Sequence, residues 1–133
     1  MTQTILIADD DTELCELLRE YLGQEGFEVR LAHDGEQALA ECRRPGLDAM
    51  VLDIMMPRMN GIELTVHLRA AAETADVPVI MITSRSTTKH REQAQSAGVN
   101  AYITKPYSET VLIETVRGLI REREIKRNER PAS

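Results

Sequence analysis

Short apolar runs alternate along the chain with longer amphipathic stretches, the pattern of βα units packed around a parallel sheet. Five runs recur: Ile5 to Ala8, Phe27 to Leu31, Ala49 to Leu52, Val77 to Ile82 and Ala101 to Thr104. The first, third and fourth are almost continuously apolar, which predicts central strands buried on both faces. Phe27-Glu28-Val29-Arg30-Leu31 alternates strictly, which predicts an edge strand with one face toward solvent.

The intervening stretches carry helical periodicity. Leu14, Leu17, Leu18, Tyr21 and Leu22 fall on one stripe of a helix that ends near Gly23 and is capped by Asp11. Asp34 is placed to cap a second helix, in which Ala38, Leu39 and Cys42 face the sheet until Pro45-Gly46 stops it. Gly61 precedes a third, carrying Ile62, Leu64, Val66 and Leu68. The fourth stretch, from Thr87 to Ala97, has little beyond Ala94 and Ala97 to bury and is expected to be the least firmly anchored. A last helix runs from Ser108 with Val111, Leu112, Val116, Leu119 and Ile120 as its apolar stripe. Arg121-Glu122-Arg123-Glu124 then begins a charged segment that is open to three readings: a solvated extension of the helix, a linker or a frayed end.

These units predict an α/β fold, a doubly wound five-stranded parallel sheet. Order 2-1-3-4-5 is the fold-level expectation for right-handed units in an open sheet. At 133 residues the chain has the size of one domain. The expected division is a domain over 3–122 and a charged C-terminal tail or linker over 123–133.

Charge and composition narrow the function classes. A formal charge of -6 disfavours nonspecific contact of this domain with DNA or anionic lipid, which requires clustered Lys and Arg. Cys15 and Cys42 sit singly in helical stretches and read as core residues of a reducing compartment. The amino end lacks a basic patch with a long apolar run, and nowhere do 18 apolar residues run together. A cytoplasmic protein with no membrane contact is expected.

Parallel strands place their carboxyl ends on one edge of the sheet, where open α/β folds bind ligands. After the first strand come Asp9, Asp10 and Asp11; the third ends in Asp53; the fourth ends in Thr83-Ser84; the fifth leads into Lys105-Pro106. With strand 1 beside strand 3, Asp9, Asp10 and Asp53 converge on one small volume. Clustered carboxylates repel one another unless a cation sits between them, and hard oxygen ligands favour Mg²⁺. A carboxylate beside such a cation can attack phosphorus if the three equatorial phosphoryl oxygens are neutralised or hydrogen-bonded. The metal, the Lys105 ammonium and the Thr83 hydroxyl with nearby backbone amides supply the three partners. Asp11 is fully explained as a helix cap.

Ile5 to Asp10 (ILIADD), Leu52 to Gly61 (LDIMMPRMNG), Ile80 to Ser84 (IMITS) and Lys105-Pro106 closely resemble, in order and spacing, the response-regulator receiver domains of two-component systems. The resemblance covers roughly residues 3 to 122, and it implies the flavodoxin-like, CheY-like (βα)5 fold. It also implies that Asp53 is the phosphoacceptor, that Asp10 and Asp53 ligate Mg²⁺ directly with Asp9 helping through water, and that the Met55 carbonyl is a backbone ligand. Thr83 and Lys105 would contact the phosphoryl group, the Lys105-Pro106 bond would be cis, and Thr83 with Tyr102 would form the switch. Met55 and Arg85 occupy positions at which receivers differ in phosphate lifetime. The implied partners are a sensor histidine kinase or histidine phosphotransfer protein, and an output domain, target protein or second copy of the chain bound through the face of helix 4, strand 5 and helix 5. The domain would not be an enzyme in the ordinary sense, promoting only its own phosphorylation and dephosphorylation.

Two rival classes compete with this reading. Asp with Mg²⁺ and Lys also serves haloacid-dehalogenase-like hydrolases, but these require a second Asp two residues after the nucleophile, where Met55 stands. A degenerate receiver, acting without phosphate, is opposed by the complete acidic, Thr and Lys set. His33, His67 and His90 show no ligand spacing, Met50, Met55, Met56 and Met59 read as packing and loop, and the glycines form no nucleotide-binding motif.

Overall fold

The computed structural model describes residues 2–84 and 88–129. Arg85, the expected start of the fourth helix at Thr87 and the last four residues of the charged segment lie outside them. The elements alternate as expected: β1 (Thr4–Ala8), α1 (Thr12–Gln24), β2 (Glu28–Ala32), α2 (Gly35–Cys42), β3 (Ala49–Leu52), α3 (Gly61–Ala70), β4 (Val79–Thr83), α4 (Thr88–Ala97), β5 (Ala101–Thr104) and α5 (Glu109–Glu129). All five strands are parallel, in the order β2-β1-β3-β4-β5.

The period of two along each strand divides the core into two layers. Leu6, Met50, Leu52, Val79 and Met81 point to one face and pack with Ala38 and Cys42 of α2 and Leu64 and Leu68 of α3. Ile5, Ile7, Val51, Ile80 and Ile82 point to the other, against Cys15, Leu18 and Leu22 of α1 and Leu112, Val116 and Ile120 of α5. Every residue of β1, β3 and β4 is buried, whereas β2 and β5, at the two edges, are largely half-buried.

Capping follows the sequence. Asp11 accepts a hydrogen bond from the Leu14 amide at 3.1 Å and Asp34 from the Gln37 amide at 2.8 Å. Asn60, unremarked in the sequence, caps α3 through the Glu63 amide at 2.8 Å, and the Ser108 hydroxyl receives the Val111 amide of α5 at 3.1 Å.

Leu17, Val66 and Val111 depart from their expected place. They are 64%, 54% and 48% exposed, so the buried stripes of α1, α3 and α5 are narrower than the run of apolar residues suggested. Phe27 is buried but precedes β2, and β4 begins two residues after Val77, which is also buried. In α4 the only fully buried side chain is that of Ala94, in keeping with the poverty of its apolar face. The charged segment after Ile120 continues as helix through Glu129. Among the described residues no helix is long and apolar enough to cross a membrane.

Candidate functional site

Three residues follow directly on strands and extend the sheet by one rung each. The Asp9 amide donates to the Ala32 carbonyl at 3.1 Å, the Asp53 amide to Ala8 at 2.9 Å and the Lys105 amide to Thr83 at 2.8 Å. Their backbones are thus as fixed as the strands, while their side chains stand at the carboxyl edge. One carboxylate oxygen from each of Asp9, Asp10 and Asp53 lies within 4.8 Å of the others; Asp9 and Asp53 are buried and Asp10 is exposed.

The two buried carboxylates are held in the same way. Asp9 Oδ1 accepts from the Asp11 amide at 2.9 Å and Asp53 Oδ1 from the Met55 amide at 3.1 Å. Their other oxygens face the Lys105 ammonium, at 3.2 Å from Asp9 and 3.5 Å from Asp53. Burial, with the charge of Asp53 alongside, raises the pKa of Asp9 in spite of the Asp11 amide and Lys105. Burial alone would lower the pKa of Lys105, but attraction to Asp53 and Asp9 outweighs it and the ammonium is held above its ordinary value. Three carboxylates against one ammonium leave two negative charges in the cluster. An all-oxygen donor set with that residual charge and one open, exposed side fits a hard divalent cation that keeps part of its water shell.

The neighbouring residues complete the edge. Thr83 closes β4 and is fully buried; it pairs in register with Thr104, as Met81 does with Tyr102. The Tyr102 ring is half-buried beside the first core layer and lies under the Arg91 guanidinium, 4.6 Å from its centroid. Arg91 also donates to the Thr104 hydroxyl at 3.2 Å, which ties α4 to β5. The Lys105–Pro106 peptide bond is cis.

The sequence alone did not single out Arg91 or the role of Gly61. A Cβ on Gly61 would stand 2.4 Å from the Asp53 carbonyl oxygen, so only glycine lets α3 start directly against the strand end that carries Asp53. A glycine immediately after a capping Asn is a legible signal for this; the Arg91–Tyr102 contact, between a helix and a strand 11 residues apart, has none. His33, His67 and His90 belong to no metal-binding cluster among the described residues.

Known proteins carry the same architecture. The response regulator receiver domain family matches residues 5–117. The transcriptional regulatory protein CpxR of Klebsiella pneumoniae is 43% identical over 117 residues, 88% of this chain and 49% of the relative. The response regulator MprA of Mycobacterium bovis is 38% identical over 91% of this chain and 52% of its own length, so the chain spans about half of these curated relatives. Among solved structures, a CheY-like receiver domain protein of Methanospirillum hungatei superposes with a TM-score of 0.89 at 28% identity, over 95% of this chain and 99% of that one. The receiver domain of a Pseudomonas aeruginosa sensor histidine kinase, whose active-site cleft coordinates a magnesium ion, gives 0.80 at 29% identity over 91% and 99%. With the family match covering all five strands and the acidic edge, the chain belongs to the response regulator receiver domains, the phosphoacceptor modules of two-component signalling.

Proposed function

We propose that the chain is a phosphorylation-dependent switch in which Asp53 accepts a phosphoryl group from the phosphohistidine of a sensor histidine kinase or histidine phosphotransfer protein. The observation that carries this reading is the convergence of Asp9, Asp10 and Asp53 within 4.8 Å, with Lys105 reaching both buried carboxylates. Asp10 and Asp53 would hold Mg²⁺ directly, Asp9 through water and Met55 through its carbonyl. Bound there, the ion supplies positive charge that offsets the carboxylates and one of the phosphoryl oxygens.

The protein's own groups do the rest. An Asp53 carboxylate oxygen forms the new O–P bond as the N–P bond of the donor imidazole breaks, its electron pair remaining on nitrogen. The Lys105 ammonium, already shared between Asp9 and Asp53, turns to a phosphoryl oxygen, and the Thr83 hydroxyl donates to another. Phosphorylation adds roughly -1.5 to -2 charges at Asp53. Thr83 is drawn toward them, Tyr102 turns inward behind it, and α4, with one buried side chain, shifts with the ring. A full population shift needs about 5.5 kcal/mol of differential stabilisation, and one charge-assisted hydrogen bond contributes about 1.5 to 3, so Lys105 and the backbone amides act with Thr83. The remodelled face of α4, β5 and α5 then binds an output domain, a target protein or a second copy of the chain in the cytoplasm. The domain itself does not contact nucleic acid.

Incubation with acetyl phosphate and Mg²⁺, followed by intact mass and peptide mapping, tests the central step. The wild type is expected to gain one phosphoryl group at Asp53 and Asp53→Asn none. An equal gain in the variant, mapped to Ser84 or a histidine, would overturn the assignment.

A further inference from the structure

Between Asp53 and α3 the chain turns through a short loop that carries Met55, whose amide is, with Lys105, one of two donors to the Asp53 carboxylate among the described residues. Internal bonds hold this loop tightly: Met56 to Ile54 at 3.1 Å, Met59 to Pro57 at 2.8 Å and Gly61 to Ile54 at 3.1 Å. It is also pressed against the start of α2, an element with no residue in the acidic cluster. A Cβ on Gly35 would lie 2.2 Å from the Met59 carbonyl oxygen and 2.3 Å from the Met59 Cβ, so the backbone of α2 touches the loop where no side chain fits. The Gly35 amide points to the Pro57 carbonyl at 3.4 Å.

Arg58 at the tip of the loop has a φ of 71°, left-handed backbone that is uncommon outside glycine. That conformation sends its guanidinium back to α2, 3.4 Å from Asp34 and 3.6 Å from Glu36. Asp34 thereby has two tasks: Oδ1 caps α2 through Gln37, and Oδ2 faces Arg58.

We propose that Asp34, Gly35 and Arg58 are positioning residues, which strap the loop to α2 and so set the height of the Met55 backbone over Asp53. They touch neither metal nor phosphoryl group; they tune Mg²⁺ affinity and the rate of phosphoryl transfer through the loop. The inference rests on the reading of Asp53 as phosphoacceptor.

The test uses Mg²⁺ titration by calorimetry and initial rates with acetyl phosphate, on the full chain, for Gly35→Ala, Arg58→Gly and Arg58→Lys. Gly35→Ala drives a methyl group into Met59 and is expected to weaken Mg²⁺ binding about tenfold, as loss of support around a ligating group does. Arg58→Gly adopts the left-handed backbone without steric strain, so the loop can still fold; it loses the ion pairs and is expected to weaken Mg²⁺ about twofold to fivefold. Arg58→Lys keeps the charge and stays nearer wild type. If Gly35→Ala and Arg58→Gly both retain wild-type Mg²⁺ affinity and rate, and only melting temperature changes, the strap is merely structural and the proposal is overturned. If Gly35→Ala fails to fold, Arg58→Gly decides alone. Failure of the wild type to take phosphate at Asp53 would instead remove the reading beneath, while the Mg²⁺ titration still decides the strap.

Discussion

The two edges of one sheet treat charge in opposite ways. At the amino edge, where strands begin, the Arg69 guanidinium donates to the carbonyls of Thr74, Ala75, Val77 and Gly98 and to the Asn100 side chain, joining α3 to the entries of β4 and β5. Asn100 in turn accepts from the Val79 amide at 2.8 Å, Asp48 receives the Thr4 amide at 2.8 Å, and Asp76 pairs with Arg123 and Arg127. The polar side chains named there are bonded within the fold, apart from the buried Nε of Arg123, which has no hydrogen-bond partner among the described residues. At the carboxyl edge three carboxylates share one lysine, and two negative charges are left over. The first edge uses its charged groups to tie the strand entries together; the second keeps like charges side by side with one member open to solvent, the arrangement of a site.

If that division is right, the largest effect on stability lies far from the acidic cluster. Arg69→Ala removes one charged group from five acceptors and is expected to destabilise the protein by about 3 kcal/mol in urea unfolding. The folded fraction should still take phosphate at Asp53 at the wild-type rate. Wild-type stability in Arg69→Ala would mean that the amino-edge network does not hold the strand entries together, and a stable variant that cannot be phosphorylated would mean that the two edges are not independent.

The sequence shows these edges unequally. The strands and the acidic edge are legible because each is local: an apolar run ends and the next residue is the functional one, as with Leu52 and Asp53 or Thr104 and Lys105. Chain order then leaves few ways to bring those residues together. The amino-edge network is not legible, since Arg69 reads as one more charged helix residue until Gly98 and Asn100 are beside it. Stripe widths fail for a related reason. Leu17 sits next to Leu18, and periodicity alone does not say that α1 presents Leu18 to the sheet and leaves Leu17 in water.

A smaller effect with the opposite sign of consequence is expected at the acidic edge. Asp10 is exposed, and among the described residues no hydrogen bond to its side chain contributes to the fold in the way that the amides on Asp9 and Asp53 do. Asp10→Asn is therefore expected to weaken Mg²⁺ about tenfold, roughly 1.4 kcal/mol, while metal-free stability is unchanged or slightly raised by the loss of a repelling charge. Unchanged Mg²⁺ affinity in a calorimetric titration would remove Asp10 from the ligand set. A marked fall in metal-free stability would mean that this edge, too, is matched within the fold.

The smallest effect concerns the helical extension, where the amino edge reaches past the last core residue of α5. As sequence, Arg123 and Arg127 belong to a charged segment with no visible partner, because Asp76 lies 47 and 51 residues away. In the fold the Arg123 side chain is only 9% exposed and also donates to the Leu47 carbonyl at 3.3 Å, whereas Arg127 is half exposed. Burial pushes the Asp76 pKa up, but hydrogen bonds from Arg123 and Arg127 and their charges outweigh it, and the carboxyl titrates below its ordinary 3.8. With the folded pKa below the unfolded one, the unfolded chain binds the proton first as pH falls. The stabilisation is then fully present above about pH 4 and disappears as the pH drops through the folded pKa. Arg127→Ala is expected to lose part of this contribution, at most about 1 kcal/mol for so exposed a pair, and Asp76→Asn all of it, including the charge partner of the buried Arg123. In both, the difference from wild type should vanish toward pH 2 and shrink in high salt at neutral pH. A difference that is the same at pH 7 and pH 2 would show that packing of the arginine stems, not charge matching, holds the extension to the domain.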